Sequence, residues 1–148
     1  MRYLFLISLC ILPFFACSQS SDEEKILQVV DQFFSSMEER DVELATSLLH
    51  KDGHSFRMIS PSEPKEPEAR SFASYLASLG SGKGNWKEEA IKPKVMIDHN
   101  LAVVWTRYKF YIDGNFSHCG TDAFTLAKTE SGWKILDLAY TVQKEGCE

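Results

Sequence analysis

The chain has 148 residues, which suits one domain of ordinary size with a single hydrophobic core. Its formal net charge is −5, and its lysines and arginines form no cluster, which argues against a nucleic-acid partner. The sequence shows no internal repeat and no linker between globular domains. We therefore expect one small, acidic folded domain.

The first residues have the pattern of a bacterial export signal. Arg2 supplies a positive charge, and an uncharged, mostly apolar run follows from Tyr3 to Ala16. A transmembrane helix needs about 20 apolar residues, so this run is too short to span a membrane. A short apolar run behind a positive charge is typical of a cleaved signal peptide, here residues 1–16.

The cleavage site leaves two alternatives. The segment Phe14-Phe15-Ala16-Cys17 resembles a bacterial lipobox, although leucine is expected where Phe14 stands. This resemblance predicts that Cys17 carries lipid, so that acyl chains anchor the mature protein in the cell envelope, facing the periplasm or the surface. An ordinary cut after Ser18 would instead release a soluble secreted protein. In the lipid-anchored case, residues 17–22 are a tether and residues 23–148 are the folded domain.

The N-terminal half of the domain shows helical spacing in three segments. Ser21-Asp22-Glu23-Glu24 is a capping box, and apolar residues follow it at helical intervals. Asp41 is expected to cap a second, short helix that ends before Gly53. A third helix is predicted over Phe72–Leu79 and closes at Gly80.

The segment between the second and third helices predicts one short strand and a loop. His54–Ile59 is the strand candidate. Residues 61–68 hold three prolines and four charged residues, so we expect a loop there.

The pattern changes to strands from Trp86 onward. Four strands are predicted, over Trp86–Asp98, Leu101–Ile112, Asn115–Lys128 and Trp133–Gln143. Pro93 makes the first of them an edge strand or a bulged one. Asp113-Gly114 is a strong hairpin turn between the second and third. Helices followed by antiparallel strands predict an α+β fold with the helices on one face of a curved sheet.

This order of elements resembles the nuclear transport factor 2-like superfamily over roughly residues 23–143. The more specific part is the stretch from Tyr108 to Phe124, followed by Gly132-Trp133-Lys134-Ile135, which is similar to the SnoaL-like and lumazine-binding-like branch. The resemblance implies a cone-shaped fold, with three N-terminal helices packed on a curved antiparallel sheet and a pocket between them. The superfamily includes ketosteroid isomerase, scytalone dehydratase and SnoaL-type polyketide cyclases, but also binders and assembly modules, so the fold alone implies no function.

The hairpin turn predicts which residues face the pocket. If Ile112 pairs with Asn115, counting back places His118 opposite Lys109 and Asp122 opposite Trp105. Alternation then puts one set of third-strand residues on a single face: Phe116, His118, Gly120, Asp122 and Phe124. A bulge would shift this register by one residue.

Asp122 and His118 are the candidate catalytic residues, and the alternative for Asp122 is a solvated or structurally hydrogen-bonded carboxylate. The Asp-Ala-Phe setting of Asp122 resembles the strand in which ketosteroid isomerase keeps a protonated oxyanion-hole aspartate, and an apolar pocket would raise the pKa of this carboxyl. His118 is a candidate general acid or base, the alternative being a histidine that holds Asp122 or a backbone carbonyl. The isomerase's base would fall in His54–Ile59, which has no carboxylate, and this argues against steroid chemistry.

The predicted ligand-binding side chains are aromatic, a type that belongs more often to a core or a dimer surface than to a ligand site: Trp105, Tyr108, Phe124 and Tyr140. The remaining histidines show no ligand spacing, so we expect no metal site and no cofactor.

Cys119 and Cys147 are the two cysteines left after cleavage and lipidation, in a compartment where disulfides persist. A disulfide between them is one outcome and two free thiols are the other. The register favours the second, because Cys119 falls opposite residues near Val142 and the tail must fold back for Cys147 to reach it.

Three functions are compatible with this sequence. The first is an exported, lipid-anchored domain that binds a small, partly apolar molecule in its cone. The second is an enzyme, a dehydratase, isomerase or cyclase that uses His118 and Asp122. The third is a non-catalytic module that forms a homodimer through its open sheet face and fills its pocket with its own side chains. A further polar group near Asp122 and His118 would favour an enzyme over a simple binder.

Overall fold

The computed structural model describes residues 21–59 and 65–147. The predicted signal peptide, the lipidation site Cys17 and residues 18–20 of the tether lie outside the described residues. In the part that is described, none of the helices has the length and apolar character needed to cross a membrane.

Three helices form where the capping residues predict them: α1 (Asp22–Glu39), α2 (Val42–Leu48) and α3 (Phe72–Ser81). The Ser21 side chain accepts from the Glu24 backbone N–H, and the Glu24 carboxylate accepts from the Ser21 N–H at 2.8 Å, which completes the predicted capping box. Asp41 caps α2 by accepting from the Leu44 N–H at 2.8 Å.

Six strands form one curved sheet: β1 (Leu49–Ile59), β2 (Glu68–Ser71), β3 (Trp86–Asp98), β4 (Leu101–Ile112), β5 (Asn115–Thr129) and β6 (Gly132–Val142). Their order is β2-β1-β6-β5-β4-β3. The α+β cone with three helices is confirmed. The sheet is mixed rather than wholly antiparallel, because β1 runs parallel to β6. No hairpin joins these two strands, so no turn sets their relative direction.

Two local predictions for the first half of the sheet need correction. β1 begins at Leu49, so α2 ends earlier than predicted and the strand is longer than His54–Ile59. The short edge strand β2 was not predicted; it begins at Glu68, where the proline-rich loop was expected to end. Four residues are too few for alternation to stand out in a sequence.

Pro93 lies in an edge strand and also in a bulge, the two alternatives that this proline predicts. The pairing of β3 with β4 shifts between Ile91 and Lys94. Thr106 on β4 fills the gap, because its hydroxyl accepts from the Ile91 N–H at 3.2 Å. The backbone group that the bulge leaves without a strand partner is therefore satisfied by a side chain.

A second bulge changes the predicted register of β5. Tyr111 pairs with Phe116 but Phe110 pairs with His118, so Ser117 is an extra residue. His118 therefore lies opposite Phe110 and not Lys109, and Asp122 lies opposite Thr106 and not Trp105. The hairpin turn predicts only the first two pairs of residues correctly, because a bulge beyond the turn has no clear sequence signal.

The hydrophobic core fills one end of the cone, between α1 and the concave face of β4, β5 and β6. Phe124 lies at its centre and is fully buried. The rings of Phe33 and Phe34 both approach the Phe124 ring edge-on, with centroids 5.9 Å apart in each case. Phe124 is therefore a core residue.

The C-terminal tail folds back across the start of β5. Cys119 and Cys147 form a disulfide. Cys119 and Gln143 exchange two backbone hydrogen bonds, of 3.0 and 2.9 Å, and these bring the tail to the strand. Arg107 also holds the tail by donating to the Gly146 carbonyl at 3.0 Å.

Candidate functional site

A cavity of about 190 Å³ lies in the cone, between α1, α3 and the concave face of the sheet. Its walls are largely aromatic, with Phe33, Phe72, Tyr75, Trp86, Tyr108 and Phe110 among them. A cavity of about 150 Å³ in a protein core can hold benzene, so this one suits a single ring with small substituents.

Two carboxyl groups meet in this cavity, those of Glu88 and Asp122. Asp122 is 1% exposed, and burial raises its pKa to about 7, although a hydrogen bond with Glu88 opposes the rise. Burial, followed by the charge of Asp122 and the hydrogen bond with it, holds the pKa of Glu88 well above its ordinary value. Adjacent buried carboxyls titrate as a pair, so near neutral pH this pair retains a proton.

The pair has unused hydrogen-bonding capacity. Within residues 21–59 and 65–147, Asp122 Oδ2 is buried and makes no hydrogen bond. The hydroxyl of Tyr75, in the same cavity, is also buried and makes none. Buried polar atoms of native proteins nearly always have a partner, so these two atoms mark a place where a ligand can bind.

Four ionisable residues that line the cavity were not predicted as site residues: Arg57, Arg70, Tyr75 and Glu88. Alternation along β3 puts Glu88 on the inner face with Trp86, whereas Glu89 on the outer face pairs with Lys87 at 2.8 Å. This alternation was visible in the sequence. The approach to Asp122 was not, because Glu88 pairs with Phe110, two inner-face positions along β4 from the partner of Asp122. Only the curvature of the sheet brings the carboxyls together.

The other two tyrosines of the cavity, Tyr108 and Tyr140, have different surroundings. The Tyr108 hydroxyl donates to the Thr141 carbonyl at 2.7 Å, so it supports the wall of the cavity. Tyr140 lies between Arg57 and Asp122 in one row across β1, β6 and β5. Burial raises the pKa of both phenols, which therefore stay protonated at neutral pH.

His118 also lines the cavity, as predicted from strand alternation. Its ring stacks on Phe110, with centroids 4.8 Å apart, and its Nδ1 lies 3.0 Å from the Ser117 hydroxyl. Burial, then the positive charges of Arg57 and Lys144, lower the pKa of His118. The imidazole is therefore mostly neutral at pH 7 and does not form an ion pair with Asp122.

Two arginines line the cavity on the side of β1 and β2, Arg57 and Arg70. Arg57 pairs with Glu68 at 2.9 Å, and 37% of its side chain is exposed. Arg70 hydrogen-bonds to Ser78 and to the Ser74 carbonyl, and it has no acidic partner among the described residues. This side of the cavity is therefore positively charged.

The remaining predicted site residues have different positions. Tyr108 and Tyr140 line the cavity, whereas Phe124 belongs to the core behind it. The prediction for Trp105 is wrong, because this side chain is 53% exposed on the outer face of the sheet. Residues three apart on one strand face opposite ways, so Trp105 and Tyr108 cannot both line the pocket. Among the described residues, no cluster of three side chains suited to bind a metal ion is present.

The comparisons with known proteins agree with this architecture. The family model described as "Putative lumazine-binding" matches residues 21–141. An NTF2-like protein from Cytophaga hutchinsonii is 20% identical, covers 84% of this chain and 100% of its own, and has a TM-score of 0.70. An NTF2-like superfamily protein from Salmonella enterica serovar Typhimurium is 17% identical, with coverages of 84% and 93% and a TM-score of 0.65.

A "putative dehydratase from the NTF2-like family" of Streptomyces avermitilis is 16% identical, with coverages of 82% and 96% and a TM-score of 0.65. At these identities the solved structures show the fold alone. A search of curated proteins found no match. The family model covers most of the chain, and this protein therefore belongs to the family described as putative lumazine-binding, with a fold similar to that of the NTF2-like structures.

Proposed function

We propose that this protein is an exported small-molecule-binding domain whose ligand occupies the cavity of the cone. The observation that carries the proposal is the pair of buried polar atoms, Asp122 Oδ2 and Tyr75 Oη, which have no partner among the described residues. Leaving a buried polar group unsatisfied costs about 1–3 kcal/mol. A ligand that hydrogen-bonds to both atoms offsets that cost, and the family's description agrees with a binding role.

Native mass spectrometry of the protein purified from its own membrane tests this proposal. We expect a bound species of low mass that is lost in Ser55→Phe, because Ser55 lines the cavity and phenylalanine would fill it. Ser35→Phe on the exposed side of α1 is the matched control and should retain the species. A wild-type protein that carries no ligand and binds no small aromatic probe would contradict the proposal.

The envelope location is part of the same proposal and rests on the lipobox-like segment that ends at Cys17. Cys17→Ser should release the protein from membranes and remove the mass of the acyl chains. Cys10→Ser, within the apolar run of the same signal, should leave the anchor unchanged. Membrane retention of the Cys17→Ser protein would contradict the lipid anchor.

A catalytic role is the second candidate, and the Glu88–Asp122 pair favours it. Two carboxyls with raised pKa values beside the neutral His118 supply both an acid and a base near neutral pH. This arrangement suits a dehydratase, isomerase or cyclase. A panel of small enolisable ketones and β-hydroxy acids would test it, with Asp122→Asn expected to abolish any turnover. The cavity is too small for a four-ring steroid.

Homodimerisation through the outer face of the sheet is a separate proposal. Met96, Leu101 and Trp105 are 64%, 48% and 53% exposed there, and large exposed apolar side chains on one face favour association. Analytical ultracentrifugation should show a dimer that Trp105→Lys dissociates. A monomeric wild-type protein at high concentration would contradict the proposed dimer only.

The alternative in which the chain's own side chains fill the pocket does not fit the presence of a cavity of about 190 Å³.

A further inference from the structure

We propose that the ligand of this cavity is a single-ring compound with an anionic group at one end and an N–H donor or ammonium group at the other. This inference rests on the proposed binding function and specifies the chemistry of the ligand. It follows from the separation of basic and acidic side chains within the cavity, which has two arginines on one side and two carboxyls on the other.

The cationic side is formed by Arg57 and Arg70. Arg57 pairs with Glu68, but the Glu68 side chain is 63% exposed, and an exposed ion pair of this kind contributes little. Among the described residues only its Nη1 donates to Glu68, so Arg57 keeps other N–H groups that can bind a second anion. Arg70 lies with its guanidinium 5.9 Å from the centre of the Tyr75 ring, and its only described hydrogen-bond partners are neutral. Planar arginine groups bind carboxylates and phosphates well.

The acidic side is formed by Glu88 and Asp122. The carboxyl oxygens of this pair have lone pairs that can accept hydrogen bonds. Asp122 Oδ2 is nine-tenths buried or more and has no hydrogen bond within the described residues. A ligand N–H or ammonium group supplies the donor that this oxygen lacks.

The sheet register sets the distance between the two sides. Arg57, Tyr140 and Asp122 occupy one row across three adjacent strands. Adjacent strands are about 4.8 Å apart, so roughly 10 Å separates the backbones of Arg57 and Asp122. Their side chains take up part of that length, and the aromatic walls and the volume of about 190 Å³ leave room for one ring between them.

Four matched probes test this inference by isothermal titration calorimetry: 4-(aminomethyl)benzoate with both charged groups, 4-methylbenzoate with the anion only, 4-methylbenzylamine with the cation only, and p-xylene with neither. We expect the two-ended probe to bind at least tenfold more tightly than either one-ended probe. Added salt should weaken the advantage of the charged probes and leave p-xylene binding unchanged.

Two pairs of variants test which side chain binds the carboxylate end of the probe and which binds the amine end. Arg57→Gln should remove the advantage that the carboxylate confers, and Glu88→Gln should remove the advantage that the amine confers. Arg107→Gln and Glu89→Gln, both on the outer face of the sheet, are the controls and should change neither. Arg70→Gln repeats the first test if Arg57→Gln does not fold.

Two failures are distinguishable. If p-xylene binds as tightly as the two-ended probe, the cavity binds ligands but the charge inference is wrong and the proposed function stands. If none of the four probes binds and purified protein carries no ligand, the proposed binding function itself is wrong. A carboxylate advantage that survives in both arginine variants would also overturn the inference.

Discussion

Each face of the sheet departs at one place from the usual distribution of polar and apolar side chains. The concave face carries two ionisable groups, the half-buried Glu88 and the buried Asp122, whereas the convex face exposes Met96, Leu101 and Trp105. Ordinary alternation puts apolar residues inside and polar residues outside. A buried polar group and an exposed apolar surface are the two informative deviations, and here each marks one proposed interaction.

The concave face is itself divided. Around Phe124 it is a close-packed core, and around Asp122, two residues away on the same strand, it borders a cavity. Phe124 and Asp122 are both fully buried, so burial alone does not distinguish a packing residue from a site residue. The distinction lies in whether the polar atoms of the buried side chain are satisfied.

The largest expected difference between the faces is in stability. Phe124→Ala should lower the free energy of unfolding by about 3–5 kcal/mol, because it leaves a cavity between Phe33 and Phe34. Trp105→Ala on the convex face should change it by about 0.5 kcal/mol in the monomer. Urea unfolding at low protein concentration measures both. Similar losses in the free energy of unfolding for the two variants would contradict this difference between the faces.

The disulfide covers one end of the convex face by holding the tail against β5. Cys147→Ser should lower the free energy of unfolding by about 3–4 kcal/mol in the chain-entropy model, since the bridge closes a loop with a sequence separation of 28 residues. Unfolding of the wild-type protein with and without a reducing agent gives the same comparison. An unfolding midpoint that does not respond to reduction would show that the bridge does not form.

The buried carboxyl pair should make stability fall with rising pH. The pKa of Asp122 rises from about 3.8 in the unfolded chain to about 7 in the folded one, so the stabilisation is complete below the unfolded value and is lost as pH rises through about 7. The free energy of unfolding should be about 2–3 kcal/mol higher at pH 5 than at pH 8.

Asp122→Asn should abolish most of that difference, whereas Asp31→Asn on the exposed side of α1 should preserve it. His118 acts in the opposite direction because its pKa is lowered, and the comparison of the two variants removes its contribution. A stability that rises between pH 5 and pH 8 in wild type but not in Asp122→Asn would contradict the assignment.

The smallest expected effect concerns His118. Burial lowers its pKa first and the positive charge of Arg57 second, so Arg57→Met should raise the pKa only part of the way to its ordinary value of about 6.5. Arg107→Met, outside the cavity, is the control. Nuclear magnetic resonance titration of the imidazole measures the change. An unchanged His118 pKa in Arg57→Met would place Arg57 farther from the site.

Local signals in the sequence determined much of this protein. Ser21 and Asp41 mark the helix starts because their side chains satisfy the free N–H groups of a first turn. Asp113-Gly114 marks the hairpin, and alternation puts His118 and Asp122 on one face of β5, a relation that the bulge before them does not alter. These features depend on neighbours in the chain, so the chain alone specifies them.

The tertiary structure decided the rest. The direction of β1 beside β6, the bulge at Ser117 and the approach of Glu88 to Asp122 depend on residues far apart in sequence. The curvature of the sheet brings together side chains that a flat register separates by two rows, and no local pattern encodes that curvature. The sequence therefore determined which face Asp122 occupies, whereas the folding of the whole sheet decided that its partner there is a second carboxyl.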